Sequence, residues 1–186
     1  VIGVLLGLKL GMLVAVGYAR VNLIPYLGLC LGMQCLVIEF ARNVANLDGA
    51  NSSEFNPNTK YPVIDLMEEQ RGVDDKGGTM RLGHYECIIK ENTKGYEAYG
   101  INSVMERHRH RYELNNEYRA QLESKGLCFS GVSPNYSLVE MAEVSNHPWM
   151  VGAQFHPEFQ SKPLVPHPLF QDFVKHTLAR HTRENE

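Results

Sequence analysis

One cysteine in this chain has the residue type and local sequence that nucleophilic catalysis requires. Cys30 lies where an apolar run ends and a helical pattern begins, with Gly28 and Gly32 on either side. Small residues on both sides of a nucleophile permit a sharp strand-to-helix turn that exposes its side chain. We expect the backbone N–H groups at the start of the helix to favour the thiolate of Cys30.

A histidine and a glutamate near the end of the chain supply the partners that such a thiol needs. His156 and Glu158 follow an apolar run that ends at Phe155, with Pro157 between them. His156 can take the proton of the thiol and return it to a leaving amine, while Glu158 orients the imidazole. A lone histidine is more often structural, and a lone cysteine more often a small buried hydrophobe. Because both groups directly follow apolar strand patterns, we predict a Cys–His–Glu triad.

The elements that must position these groups alternate between strand and helix patterns. Residues 24–29 read as a strand and residues 31–47 as a helix with an apolar stripe. Further strands are predicted at residues 62–67, 80–89, 127–132, 137–144 and 150–155, with helices at 116–126 and 169–182. Strands mixed with helices predict α/β layers with some antiparallel hairpin structure. No internal repeat or linker divides the sequence, so one domain spanning residues 1–186 is expected.

Composition narrows the classes of partner. A net charge of −3 argues against nucleic acid and anionic membrane surfaces. The four cysteines follow no metal-site or disulfide spacing, which predicts a reducing, cytoplasmic setting and no metal site. His108 and His110 are two residues apart, but no third ligand presents itself. The apolar run of residues 1–16 is interrupted by Lys9 and is too short for a membrane span, so we expect the sequence to begin within a domain.

Five sequence segments together resemble a known family. The chain is similar to the class I (triad) glutamine amidotransferases in Gly-Leu-Cys-Leu-Gly-Met-Gln around Cys30 and Gln-Phe-His-Pro-Glu around His156. Three further segments resemble the glutaminase domain of the CTP synthase family: Ala-Asn-Ser-Ser-Glu-Phe at residues 50–55, Gly-Gly-Thr-Met-Arg-Leu-Gly at 77–83 and Glu-Arg-His-Arg-His-Arg-Tyr-Glu at 106–113. The resemblance covers residues 20–168. It implies an α/β fold with a central, mostly parallel sheet flanked by helices.

The resemblance also implies a role for each matching residue. Cys30 would form a γ-glutamyl thioester, His156 would act as general base and acid, and Glu158 would be its partner. The backbone N–H of Leu31 would stabilise the oxyanion. The positions that hold glutamine match Gly3, Leu31, Gly32, Met33, Gln34, Glu54 and Arg111. Physical chemistry agrees, because free glutamine has an α-ammonium and an α-carboxylate that Glu54 and Arg111 complement.

The implied activity is hydrolysis of L-glutamine to glutamate and ammonia, which a synthetase domain outside this sequence would use to aminate UTP to CTP. The family uses ATP and Mg²⁺ in that domain, is activated by GTP, and forms homotetramers mainly through it; the domain alone would be a monomer and use no cofactor. Residues 68–79 align with a family loop that lies over the site and responds to GTP.

The sequence departs from the family near its beginning. Gly3 falls on the glycine that supplies the second oxyanion donor, but Ile2 and Leu5 stand where the family has glycines. Loss of one such donor costs on the order of 3 kcal/mol in the barrier. Two alternatives therefore stay open: a non-catalytic regulatory domain that keeps the triad, and another triad amidotransferase or γ-glutamyl peptidase on the same fold.

Overall fold

A computed structural model describes the backbone of residues 2–66 and 80–184, and the side chains of residues 10–66 and 80–183. The helices are α1 (Ile2–Val21), α2 (Leu31–Asn43), α3 (Lys94–Tyr99), α4 (Arg119–Ser124) and α5 (Pro168–Glu184). The strands are β1 (Tyr26–Leu29), β2 (Asn51–Ser52), β3 (Pro62–Leu66), β4 (Arg81–Ile89), β5 (Ser103–His110), β6 (Tyr112–Leu114), β7 (Leu127–Val132), β8 (Val139–Val144) and β9 (Met150–Ala153). No described helix is long and apolar enough to cross a membrane.

The expected α/β fold is confirmed, and the strands form two sheets. The larger sheet has the order β1-β9-β8-β7-β4-β5, and the smaller has the order β2-β3-β6. The expectation of a mostly parallel central sheet was wrong for the described strands: only β1–β9 and β2–β3 are parallel, and the other five pairs are antiparallel. Short connections explain this, because parallel neighbours need a long crossover whereas β7, β8 and β9 follow one another through tight turns.

The sheet and the helix after β1 approach each other closely. A Cβ placed on Gly28 would lie 2.6 Å from the backbone carbon of Gly32, and one on Gly152 would lie 2.9 Å from the side chain of Met33. Helix α2 is buried from Gly32 to Ala41. The two glycines therefore let α2 lie directly on β1 and β9, which fixes the start of α2 relative to both strands.

Candidate active site

Cys30 lies at a strained turn between β1 and α2. Its backbone has φ 49° and ψ −102°, a conformation that residues with a Cβ rarely adopt. The turn is held from both sides: the N–H of Cys30 donates to the carbonyl of Ala153 at 2.7 Å, and its carbonyl accepts from the N–H of Gln34 at 3.2 Å. The predicted turn with a thiol at its apex is therefore present, and α2 begins at Leu31 as expected.

His156 and Glu158 form a hydrogen-bonded pair in the turn that follows β9. The Nδ1 atom of His156 lies 2.7 Å from Oε1 of Glu158. Because a carboxylate only accepts, Nδ1 carries the proton and Nε2 is left as the basic nitrogen. This Nε2 is buried and makes no hydrogen bond within the part of the chain that the structure describes. The geometry is that of an oriented general base with its basic nitrogen available.

The pairing of β1 with β9 brings the cysteine and the histidine to one edge of the sheet. The two strands are parallel, with Leu29 opposite Ala153, so Cys30 and the segment up to His156 both leave the sheet at its carboxyl edge. The amide Nε2 of Gln154 lies 3.7 Å from the sulfur of Cys30. The carboxylate of Glu158 also acts on the pKa of Cys30. Gln154 was not predicted as a site residue; its position directly after an apolar strand was the available signal.

Burial favours the protonated thiol of Cys30 over the thiolate. Burial raises its pKa to about 11, and the backbone N–H of Leu31 lowers it by less than burial raises it. The carboxylates of Glu158, Glu113 and Glu54 raise it further. The expectation that the start of α2 would favour the thiolate is thus outweighed by desolvation. The thiol therefore needs a base, and Nε2 of His156 is the candidate.

The reactivity of Cys30 is expected to follow this raised pKa. Because only the thiolate is alkylated, the rate of iodoacetamide labelling in the resting protein should rise with pH towards about 11. In urea the same cysteine should reach half its maximal rate near its ordinary pKa, about 8.5. Mass spectrometry of the peptide that contains Cys30 measures both profiles. A folded-state rate that is already constant near pH 7 would instead show a resting thiolate–imidazolium pair.

Three of the residues predicted to hold glutamine, Gln34, Glu54 and Arg111, act on Tyr112. The amide Nε2 of Gln34 donates to the carbonyl of Tyr112 at 3.1 Å and to Oε1 of Gln154 at 3.3 Å. Glu54 is exposed in the turn after β2, and Arg111 joins β5 to β6. Burial raises the pKa of Tyr112, the carboxylate of Glu54 raises it further, and the guanidinium of Arg111 lowers it. Both charges therefore act on one side chain beside Gln34.

Gly32, Met33 and Gly3 are also predicted to contact glutamine, and the structure gives the position of each in its helix. Gly32 and Met33 lie in the first turn of α2, where N–H groups have no acceptor within the helix. The side chain of Met33 is 1% exposed and belongs to the core, which leaves its backbone for any contact with substrate. Gly3 lies in α1, and its role as second oxyanion donor stays a prediction. The predicted loop at residues 68–79 falls outside the described residues.

A buried ionic cluster joins β4, β5 and β8. Both guanidinium nitrogens of Arg81 contact the carboxylate of Glu140, at 3.0 and 2.6 Å, and His108 Nδ1 lies 2.8 Å from His110 Nε2. Burial and then the charge of Arg81 lower the pKa of His108 to about 2 and that of His110 to about 3. Among the described residues no group of three or more His, Cys, Asp and Glu side chains is arranged to hold a metal ion. The two histidines are thus neutral members of the core.

A strained cysteine at the carboxyl edge of a sheet, with a His–Glu pair beside it, defines a triad hydrolase or transferase. The family model for class I glutamine amidotransferase matches residues 9–176. The chain therefore belongs to the class I glutamine amidotransferase family.

Three similar proteins indicate which member of the family the chain resembles. The chain is 66% identical over 168 residues to a CTP synthase of Caldanaerobacter subterraneus subsp. tengcongensis, which covers 90% of the chain and 31% of that protein. It is 62% identical over 164 residues to a CTP synthase of Dehalococcoides mccartyi, covering 88% and 30%. The glutaminase domain of Trypanosoma brucei CTPS with bound acivicin has a TM-score of 0.86 at 38% identity, covering 92% of this chain and 66% of that one. The chain thus spans about a third of the length of these curated relatives.

Proposed function

We propose that this chain is the glutaminase domain of a CTP synthase and hydrolyses L-glutamine to glutamate and ammonia. One observation carries the proposal: Cys30 has a strained backbone at the same sheet edge as the hydrogen-bonded His156–Glu158 pair. Three named CTP synthases support the substrate, two of them at 66% and 62% identity.

The side chains support a two-step mechanism. His156 Nε2 takes the proton of the Cys30 thiol while the sulfur attacks the side-chain amide carbon of glutamine. The backbone N–H of Leu31 stabilises the negative charge on the carbonyl oxygen, and Gly3 is proposed as the second donor. The protonated imidazole then gives its proton to the leaving nitrogen, so ammonia departs and a γ-glutamyl thioester remains. A water molecule, deprotonated by His156, releases glutamate and restores the thiol.

The charges around the site support glutamine as the substrate. Glu54 is proposed to bind the α-ammonium and Arg111 the α-carboxylate, since ionic hydrogen bonds of this kind are strong and directional. Leu31, Gly32, Met33 and Gln34 are proposed to contact the rest of the substrate from the start of α2. In this assignment Glu54 and Arg111 determine affinity, whereas Cys30 and His156 determine rate.

The synthetase domain, the activator and the oligomeric state of the whole enzyme are proposed from the same relatives. The synthetase domain of the relatives would receive the ammonia and use ATP and Mg²⁺ to convert UTP to CTP. GTP is proposed as the activator, acting through residues 68–79, and the whole enzyme as a homotetramer. We also propose a cytoplasmic setting, whose reducing environment suits cysteines that form no disulfide, as at positions 30, 35, 87 and 128.

The nucleophile is tested by labelling and by ammonia release. A glutamine analogue with an electrophilic side-chain carbon should label the native chain once, at Cys30, and should not label Cys30→Ala. Ammonia release from glutamine should occur in the native chain and be lost in that variant, and Cys128→Ala serves as the matched control with both signals kept. Labelling that persists in Cys30→Ala would overturn the assignment. No ammonia from the native chain, with or without GTP and a separately supplied synthetase domain, would instead support a non-catalytic domain.

A further inference from the structure

A buried carboxylate outside the triad holds three separate parts of the chain. Glu106 on β5 is 2% exposed. Its Oε1 lies 2.7 Å from the hydroxyl of Tyr99 and 2.8 Å from Nε2 of His167, and its Oε2 accepts from Nε2 of Gln160 at 2.6 Å. Hydrogen bonds to a charged acceptor are roughly twice as strong as neutral ones. This carboxylate therefore joins β5 to α3, to the segment before α5 and to the turn after β9.

The third of these parts is the turn that carries the catalytic pair. Gln160 follows directly after the short helix Pro157–Phe159, which is preceded by His156 and contains Glu158. The same amide of Gln160 also donates to the carbonyl of Met105 at 3.1 Å. At the other end of the turn, the N–H of His156 donates to the carbonyl of Arg107 at 2.8 Å. The turn is thus bound to β5 at its start, through the backbone of the general base, and at its end, through Gln160.

We propose that Glu106 is a positioning residue for His156 and acts through the side chain of Gln160. The proposal rests on the proposed glutaminase function. Its physical basis is that the imidazole must keep Nε2 aimed at the proton of the Cys30 thiol, and a displacement of about 1 Å reduces the rate about 100-fold. A short hydrogen bond to the buried carboxylate of Glu106 restrains the end of the turn that carries the imidazole, which a neutral surface contact does not.

The two oxygens of Glu106 allow this role to be separated from a structural one. Tyr99 and His167 contact Oε1 and join α3 and α5 to the core, whereas Gln160 contacts Oε2 and belongs to the catalytic turn. Tyr99→Phe keeps the ring and removes one hydrogen-bond donor to Oε1, so it weakens the link between α3 and β5 and leaves the link to the catalytic turn unchanged. Gln160→Met keeps the length of the side chain and removes the link to the turn.

The test compares kcat, KM and melting temperature in these variants. Gln160→Met is expected to lower kcat for glutamine about 10- to 100-fold with KM within twofold of native. Tyr99→Phe is expected to keep kcat within threefold of native while lowering the melting temperature at least as much as Gln160→Met does.

Gln160→Glu places a second carboxylate against Glu106 and should lower kcat at least as far as Gln160→Met. The double variant Glu106→Gln with Gln160→Glu restores one carboxylate and one amide in exchanged positions, and it should regain at least tenfold over Gln160→Glu.

Nuclear magnetic resonance of the His156 imidazole gives a readout that needs no activity. The proton on Nδ1, hydrogen-bonded to Glu158 at 2.7 Å in the native chain, should give a downfield signal that shifts or broadens in Gln160→Glu and returns in the exchanged pair. An unaltered signal and an unaltered kcat in Gln160→Glu would overturn the positioning role, as would equal losses of kcat in Tyr99→Phe and Gln160→Met. A native chain that releases no ammonia would contradict the proposed function, and the imidazole signal would still decide the role of Glu106.

Discussion

Replacement of His156 by alanine is expected to lower kcat for glutamine hydrolysis by on the order of 10⁴-fold, with little change in KM. The reason is the raised pKa of Cys30, about 11, which leaves the thiol protonated at neutral pH. Without the imidazole no group of the proposed triad accepts that proton, because the described interaction of Glu158 with the thiol is electrostatic alone. Stopped assays of ammonia and glutamate measure the loss directly.

The control for this variant is another histidine. His84 is exposed on β4, and His84→Ala should leave kcat unchanged. Glu158→Gln should fall between the two variants, since an amide can hold Nδ1 in either tautomer whereas a carboxylate holds only its protonated form. A loss below tenfold in His156→Ala would remove His156 from the role of general base.

The second large effect concerns stability. Arg81→Met is expected to lower the free energy of unfolding by about 3–5 kcal/mol, the usual cost of leaving a buried charge without its partner. Glu140 is 0% exposed, and its carboxylate accepts hydrogen bonds from Nη1 and Nη2 of Arg81. Burial already raises the pKa of Glu140 above its ordinary value. Arg81 opposes this shift in the native chain, so its loss in Arg81→Met raises the pKa of Glu140 further. Because a folded-state pKa above the unfolded one makes the fold more stable as pH falls, the variant gains more stability than the native chain, and the gap between them should narrow between pH 8 and pH 5.

Urea unfolding at both pH values measures this gap. The matched control is Lys175→Met, which breaks the ion pair between Lys175 and Asp172. Because the side chain of Lys175 is 75% exposed, this substitution should lower the free energy of unfolding by less than about 1 kcal/mol. Adding Glu140→Gln to Arg81→Met should recover part of the loss, because the amide is easier to bury. A gap that widens at pH 5 would show that Glu140 is not the group left unpaired.

The local geometry at Cys30 and at His156 was predictable from the sequence. The turn at Cys30 and the start of α2 follow from short-range residue patterns, and so does the placement of His156 after a strand. The strand β5 was missed, because its charged residues conceal a period of two: Glu106, His108 and His110 face inward while Met105 and Arg109 face outward. Polar side chains on an inward face are recognisable only once their buried partners are known.

The sheet pairing and the pKa of Cys30 were beyond sequence reasoning for a different reason. Local residue patterns do not encode which strands become neighbours, so the expected parallel sheet gave way to hairpins joined by short turns. The resting state of the thiol depends on how much water the folded chain excludes from it. The N–H of Leu31 was correctly expected to favour the thiolate, but its effect is smaller than that of burial.

The position of β9 between β1 and β8 has a consequence for the order in which the protein acquires activity. Gln154 is 124 residues from Cys30 in sequence, yet it directly follows β9, which lies beside the strand that leads to the nucleophile. Contacts of such long range form slowly, since a large loop must close first. During synthesis Cys30 emerges from the ribosome well before His156, and the thiol remains without its base until the residues up to Glu158 have also emerged. Glutamine hydrolysis would therefore be a late and sensitive report of complete folding.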